Sequence, residues 1–228
     1  MSEWRVIQDL ARPPAEQMPA DVRLAHEGLP TLRLFTWNRP AVSLGWKQAV
    51  PPWLDESVCR QAGVAIVERP TGGGIAFHGS DLSWSVTIPD SCSLSMHRAV
   101  ECACDVMVKL CEAFNVNASS LLDVERHTRI TVCLAELSPY AIMVGSKKLA
   151  GMAVRRFKTS WLLQGSMLIS ELPAPLRRVV PVAIRAALDE RATTLSRMVG
   201  EPVNVATVAQ RWADHWSAWW PIDELVGV

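Results

Sequence analysis

The 228-residue chain has no excess charge of either sign: 23 Lys and Arg stand against 23 Asp and Glu. A general nucleic-acid binder needs a basic surplus to displace counterions from phosphates, so that class is excluded. A local basic patch for an acidic partner is not. No apolar run approaches the roughly 20 residues that cross a bilayer. The opening stretch from Met1 to Pro14 lacks the charged head and apolar run of a secretory signal. The expectation is a cytoplasmic protein with neither membrane nor nucleic acid as a partner. Zinc-site cysteine spacing is also missing. Of Cys59, Cys92, Cys102, Cys104, Cys111 and Cys133, the tightest pair is Cys102 and Cys104, separated by one residue instead of the two of a zinc knuckle or redox motif. No metal site is expected. Disulfides are not needed either, because a chain this long and 49% hydrophobic buries a sizeable core and a reducing cytosol keeps thiols free.

The residues that are present read as one α+β domain spanning 1–228. Helical spacing of apolar residues predicts a helix over Pro14–Glu27, and two strand-like runs follow, Thr31–Trp37 and Ala41–Leu44. Pro51-Pro52 predicts the start of a second helix with Trp53, Val58, Cys59 and Ala62 on its apolar side, closed by Gly63. Val64–Val67 and Ile75–His78 read as strands around a glycine-rich connection. Strict alternation over Leu82–Ile88 predicts a half-buried strand, with Ser83, Ser85 and Thr87 on its polar face. Ser95–Phe114 is the longest helix, and Asn115–Thr131 reads as a mobile loop. Tyr140–Val144, Lys148–Val154 and Trp161–Ile169 read as three strands of one sheet. Helices over Leu176–Leu188 and Val205–Trp216 finish the pattern, with Trp212, Trp216, Trp219 and Trp220 as a packing anchor.

Thr71-Gly72-Gly73-Gly74 joins two strand patterns. Consecutive glycines admit φ > 0 and let backbone approach a ligand with no Cβ in the way. Neither a dinucleotide fingerprint nor a P-loop is present, because no helix and no Gly-Lys-Ser/Thr follows. The same run is equally a tight strand connection, and His78 after it reads as an ordinary strand-end histidine. The block Glu68-Arg69-Pro70-Thr71-Gly72-Gly73-Gly74-Ile75-Ala76-Phe77-His78 resembles the Arg-x-x-Gly-Gly-x-x-x-x-His motif of the biotin/lipoate protein ligase superfamily. Pro40–Gly45 with Gln48 is similar to that family as well. So are Gly145-Ser146-Lys147-Lys148-Leu149-Ala150-Gly151-Met152-Ala153, which matches its Gly-x-x-Lys-x-x-Gly-x-Ala signature, and Gly165-Ser166. These blocks run in the family's order from about Trp4 to about Ile169.

The resemblance implies a catalytic domain on a mixed β-sheet with packed helices; no DNA-binding helix-turn-helix module is expected, and little room is expected for the accessory domain that many lipoate ligases carry. It also implies an acyl-binding tunnel with Arg69, Gly72, Gly73, Gly74, His78, Gly151, Ala153, Gly165 and Ser166 as substrate-binding residues. The family spacing to Gly151 and Ala153 selects Lys148 over Lys147. Such a lysine holds a carbonyl or phosphate oxygen, or stabilises a neighbouring thiolate; by itself it reads as a solvated edge residue.

Cys133 opens Cys133-Leu134-Ala135-Glu136-Leu137-Ser138-Pro139-Tyr140, which resembles the Cys-x-x-x-x-Ser-x-Tyr stretch of the family's octanoyltransferase branch. A thiolate there accepts an acyl group from a thioester and passes it to an amine. Gly74 and Glu68 divide the resemblance: three glycines follow the ligase pattern, whereas Glu68 replaces a second arginine common in lipoate ligases. Three readings stay open. The first is transfer of octanoyl from acyl carrier protein through Cys133 to lipoyl domains of E2 subunits or glycine cleavage H protein, with no cofactor. The second is an ATP- and Mg²⁺-dependent lipoate-protein ligase, and the third a non-catalytic acyl-binding paralogue. The cluster Arg155-Arg156-Phe157-Lys158 reads as a solvated turn or as a face for an acidic carrier.

Overall fold

A computed structural model describes residues 4–122, 131–136 and 138–220. The chain opens on β1 (Arg5–Arg12), which the sequence pattern does not announce. Next comes α1 (Pro14–Glu27), whose first-turn Pro14 supplies a fixed φ where an amide would have no partner, and which Gly28 ends at φ 63°. β2 (Thr31–Trp37) and β3 (Ala41–Leu44) match their expected bounds. α2 covers only Glu56–Gln61. Its true start is Asp55, whose carboxylate caps the amides of Ser57 and Val58, while the prolines upstream form a turn. Val58 is exposed and does not belong to the buried side.

β4 (Ala65–Glu68) and β5 (Ala76–His78) flank the glycine connection and lead to β6 (Asp81–Pro89). α3 (Met96–Glu112) is capped by Ser95, whose hydroxyl accepts from the Arg98 amide. The stretch read as a mobile loop contains a strand, β7 (Ser119–Leu121), and residues 123–130 of it lie outside the described residues. β8 (Ala141–Val144), β9 (Lys147–Arg156) and β10 (Ser160–Leu168) are the three expected strands. The helix expected over 176–188 is two, α4 (Ala174–Val179) and α5 (Val182–Arg191), because Pro181 has no amide to continue the first. α6 (Leu195–Val199) and α7 (Val205–Trp219) complete the described chain.

Among the described residues the strands form two mixed sheets, one ordered β1-β2-β6-β10-β9-β8-β7 and one ordered β4-β3-β5. In the large sheet β1 and β2 run parallel and the other pairings are antiparallel. The apolar face of β6 packs under α3 and α7, where Trp84, Trp212, Trp216 and Trp220 are all but fully buried. The opposite face of β6 is not solvated as the alternation suggests: all nine residues of the strand are buried.

That polar face lies beneath α1; Ser83 and Ser85 are paired internally, while Thr87 Oγ1 is buried without a partner. Arg33, fully buried on β2, donates to Asp9 (2.8 Å) and Asp21 (2.7 Å). Asp21 also accepts from Ser85 Oγ and Gln164 Nε2. Buried charge survives there because every partner is present.

Candidate active site

Between the small sheet and the large one lies a cleft of about 500 Å³. Phe35, Trp37, Trp84, Met18 and Met152 make its apolar lining, and polar groups enter from both walls, Ser83, Gln164 and Ser166 from the large sheet and Ser43, Arg69 and His78 from the side of the small one. The glycine connection builds that side. Gly73 adopts φ 95°, and a Cβ on it would stand 3.0 Å from Arg69 Nη2. The Arg69 guanidinium is folded back into its own loop. Nη2 donates to the carbonyls of Gly72 (2.8 Å) and Gly74 (2.6 Å), and Nη1 donates to Ser43 O and Ser43 Oγ. Gly45 docks against the same loop so closely that a Cβ on it would meet Gly73 O at 2.2 Å. Burial pushes the Arg69 guanidinium down from its ordinary range, and the Cys133 thiolate acts in the opposite direction.

Ser43 leads to a second polar chain. Its hydroxyl shares a hydrogen bond of 2.8 Å with His78 Nε2, and His78 Nδ1 lies 2.8 Å from Asp81 Oδ2. Burial raises the Asp81 carboxyl, but the His78 imidazole and hydrogen bonds from His78, Ser166 and the Gly79 amide outweigh it. Asp81 therefore sits below the ordinary aspartate range. The His78 ring is stacked on Trp37 with centroids 4.3 Å apart. His78 is thus fixed on three sides, and Asp81, Ser43 and Arg69 join it to the glycine loop. Sequence reasoning missed Ser43 and Asp81; the signal available for Asp81 was a carboxylate three residues after a histidine at a strand start.

Cys133 arrives from the far side of β5. Ile75 pairs with Val132 in a parallel bridge, and Ile75 O accepts from the Cys133 amide at 2.9 Å. This backbone pairing seats the thiol in the cleft wall. Cys133 is half-buried, whereas the other five cysteines are buried. Burial pushes Cys59 and Cys92 up and takes Cys104 and Cys111 to about 12.

Lys148 is 1% exposed, so the solvated edge reading does not hold. Its ammonium points into the turn that carries Cys133. Nζ donates to Ser138 Oγ (2.6 Å), Cys133 O (2.7 Å) and Glu136 O (3.3 Å). An ammonium has three hydrogens, and here all three are committed to residues 133–138. Burial pushes Lys148 below the ordinary lysine range, opposed by the Cys133 thiolate and the Glu136 carboxylate. Glu136 in turn accepts from the Thr131 and Val132 amides, closing the turn on itself.

Gly151 explains how thiol and ammonium share a wall. A Cβ there would lie 3.0 Å from Lys148 Cε, 3.2 Å from Lys148 Nζ and 3.7 Å from Cys133 Sγ. The missing methyl is the space the two groups face. Gly165 does a similar service for Trp84, whose indole occupies the position of its Cβ, within 2.2–2.7 Å. Of the expected site residues, Arg69, His78, Cys133, Gly151, Ala153, Gly165 and Ser166 reach the cleft wall. Gly72, Gly73, Gly74 and Lys148 stand behind it, holding Arg69 and the Cys133 turn.

The lipoyl protein ligase A/B catalytic domain matches residues 14–217. The chain belongs to that family. Its relatives include the octanoyltransferase LipM of Symbiobacterium thermophilum, 31% identical over 93% of this chain and 84% of that protein. The octanoyltransferase LipM of Kyrpidia tusciae is 28% identical over 94% of this chain and 86% of the other. Among solved structures, the bipartite lipoate protein ligase of Thermoplasma acidophilum superposes with a TM-score of 0.69 at 19% identity, covering 96% of this chain and 84% of that one. The last likeness is one of fold: the α+β domain with mixed sheet and packed helices is the catalytic-domain fold of the lipoyl ligase family.

Proposed function

We propose that this family member is a protein octanoyltransferase that works through a thioester on Cys133. The Cys133 thiolate attacks the carbonyl of an octanoyl thioester on acyl carrier protein. The carbon–sulfur bond to the carrier breaks, and the carrier's thiolate leaves and takes up a proton. A lysine amine of a lipoyl domain then attacks the Cys133 thioester, forming the amide, releasing the Cys133 thiolate and giving up a proton to solvent. One thioester is exchanged for another at little cost in the first step, so neither ATP nor a metal is required.

The observation that carries this reading is the use of Lys148. Its three hydrogens hold the backbone and Ser138 of the turn that presents Cys133, which leaves none for a phosphate or a carboxylate. An adenylating ligase wants that ammonium on its substrate's charge; a thiol enzyme wants it where it orients the nucleophile. Purified protein with apo lipoyl domain tests the choice. Octanoyl-carrier protein alone is expected to give octanoylated domain, and octanoate with ATP and Mg²⁺ none. Modification only in the second mixture identifies a ligase, and binding of lipoyl domain without modification in either identifies a non-catalytic paralogue.

A further inference from the structure

Beside the cleft, on the outer side of the Arg69 loop, runs an open groove of about 880 Å³. The two adjoin, and Met18 and Arg69 line both. Its charged residues are Arg23, Arg69, Arg155 and Glu68, and the Arg69 guanidinium is spent on Ser43 and its own loop. Arg155 is half-buried and already placed: Nη1 donates to Pro70 O at 2.7 Å, and the guanidinium lies 4.1 Å above the exposed Trp46 ring and 5.1 Å from that of Phe157. Its other edge is left for an anion. Arg156 takes no part, because Asp90 holds it in a bidentate pair. Arg23 on α1 is exposed, and neither its side chain nor that of Glu68 has an ion-pair or hydrogen-bond partner among the described residues. The groove thus presents two arginines with unspent charge and one carboxylate, with Lys47 over the outer face of Trp46.

An acyl donor carried on a protein must satisfy a simple constraint. Its thioester has to reach Cys133 inside the cleft while the far end of the arm, a phosphodiester, stays joined to the carrier at the surface. The groove shares its Met18 and Arg69 walls with the cleft and opens to the surface, which suits it to such an arm. On the octanoyltransferase reading above, the geometry points to the groove as the seat of the donor's phosphopantetheine arm, with Arg23 and Arg155 on the phosphodiester and Glu68 selecting against polyphosphates. A phosphodiester brings a single negative charge and is matched by the pair of arginines. A nucleoside triphosphate brings several and meets the Glu68 carboxylate as well.

Two donors that share the octanoyl-pantetheine arm and differ in its phosphoserine amide end test this: octanoyl-phosphopantetheinyl serine amide and octanoyl-pantetheine, each read by acylation of Cys133. The wild type is expected to prefer the phosphodiester donor about fivefold in kcat/KM, the scale of one well-placed surface charge pair. Arg23→Gln should erase most of that preference, Glu68→Gln should widen it, and ATP·Mg²⁺ should compete poorly against wild type but better against Glu68→Gln. Equal use of the two donors by wild type, a preference indifferent to Arg23→Gln, or ATP·Mg²⁺ competing equally with both proteins would overturn the assignment. Failure of both donors to acylate Cys133 would instead strike the octanoyltransferase reading. The groove is then judged by calorimetric binding of the acyl-free phosphopantetheinyl serine amide to wild type and Arg23→Gln, where equal affinities count against it.

Discussion

Gly151 and Lys148 carry the tightest local argument. A methyl at Gly151 would press on Lys148 at 3.0–3.2 Å and crowd Cys133 Sγ, and Lys148, held by three hydrogen bonds, has no easy retreat. Gly151→Ala is expected to cost about 1–3 kcal/mol in stability, as overpacking does, and to lower acyl transfer by about a hundredfold through displacement of the nucleophile. Denaturant titration and single-turnover acylation read the two separately; a variant as active as wild type would contradict the shared-wall geometry. The cysteines give a second prediction at this scale. With Cys104 and Cys111 raised to about 12 and Cys59 and Cys92 raised by burial, iodoacetamide at pH 8 should modify Cys133 in the folded protein and all six thiols in denaturant. Rapid native labelling of any of the five buried thiols would contradict it.

At the scale of elements, the site depends on how β3, β5 and β6 are tied together through Asp81. Its carboxyl is held below the ordinary value of 3.8, so it contributes stability that is fully present above that value and is lost as pH falls below it. Asp81→Asn should therefore be less stable than wild type at pH 7 by about 3 kcal/mol, the scale of buried hydrogen bonds to a charged acceptor such as those it receives from Ser83, Ser166 and the Gly79 amide. The gap should narrow as pH is taken below 3.8. Denaturant midpoints at the two pH values measure this, and a gap that stays constant would contradict it. Much of this arrangement was legible in the chain. The bounds of α1, β2 and β3, the core of α3 and the strand character around β8 to β10 follow from periodicity, which reports burial on one face. The residues that escaped did so for physical reasons. β1 is a half-exposed edge strand with little alternation, and its identity comes from pairing with β2. The polar face of β6 reads as solvent-facing until Asp21 and Gln164 arrive from elsewhere in the chain to pair it. Ser43 and Asp81 belong to a hydrogen-bond chain assembled across three strands, and no local spacing encodes that.

The molecule as a whole divides its labour between two sheets. The large sheet buries its tryptophan-rich face under α3 and α7 and offers the cleft its β9 and β10 glycines; the small sheet brings the Arg69 loop and anchors the Cys133 turn through Ile75. The motif order along the chain made this family membership visible from sequence, whereas the role of Lys148 as the clamp of the Cys133 turn required the fold. The central claim is that Cys133 carries the acyl group. Mass spectrometry of the protein after incubation with octanoyl-carrier protein and no acceptor tests it most directly. The account predicts the added mass of one octanoyl group, mapped to Cys133, removed by hydroxylamine, absent in Cys133→Ala and formed without ATP. Full transfer to a lipoyl domain by a protein that never gains this mass, or by Cys133→Ala, would contradict it.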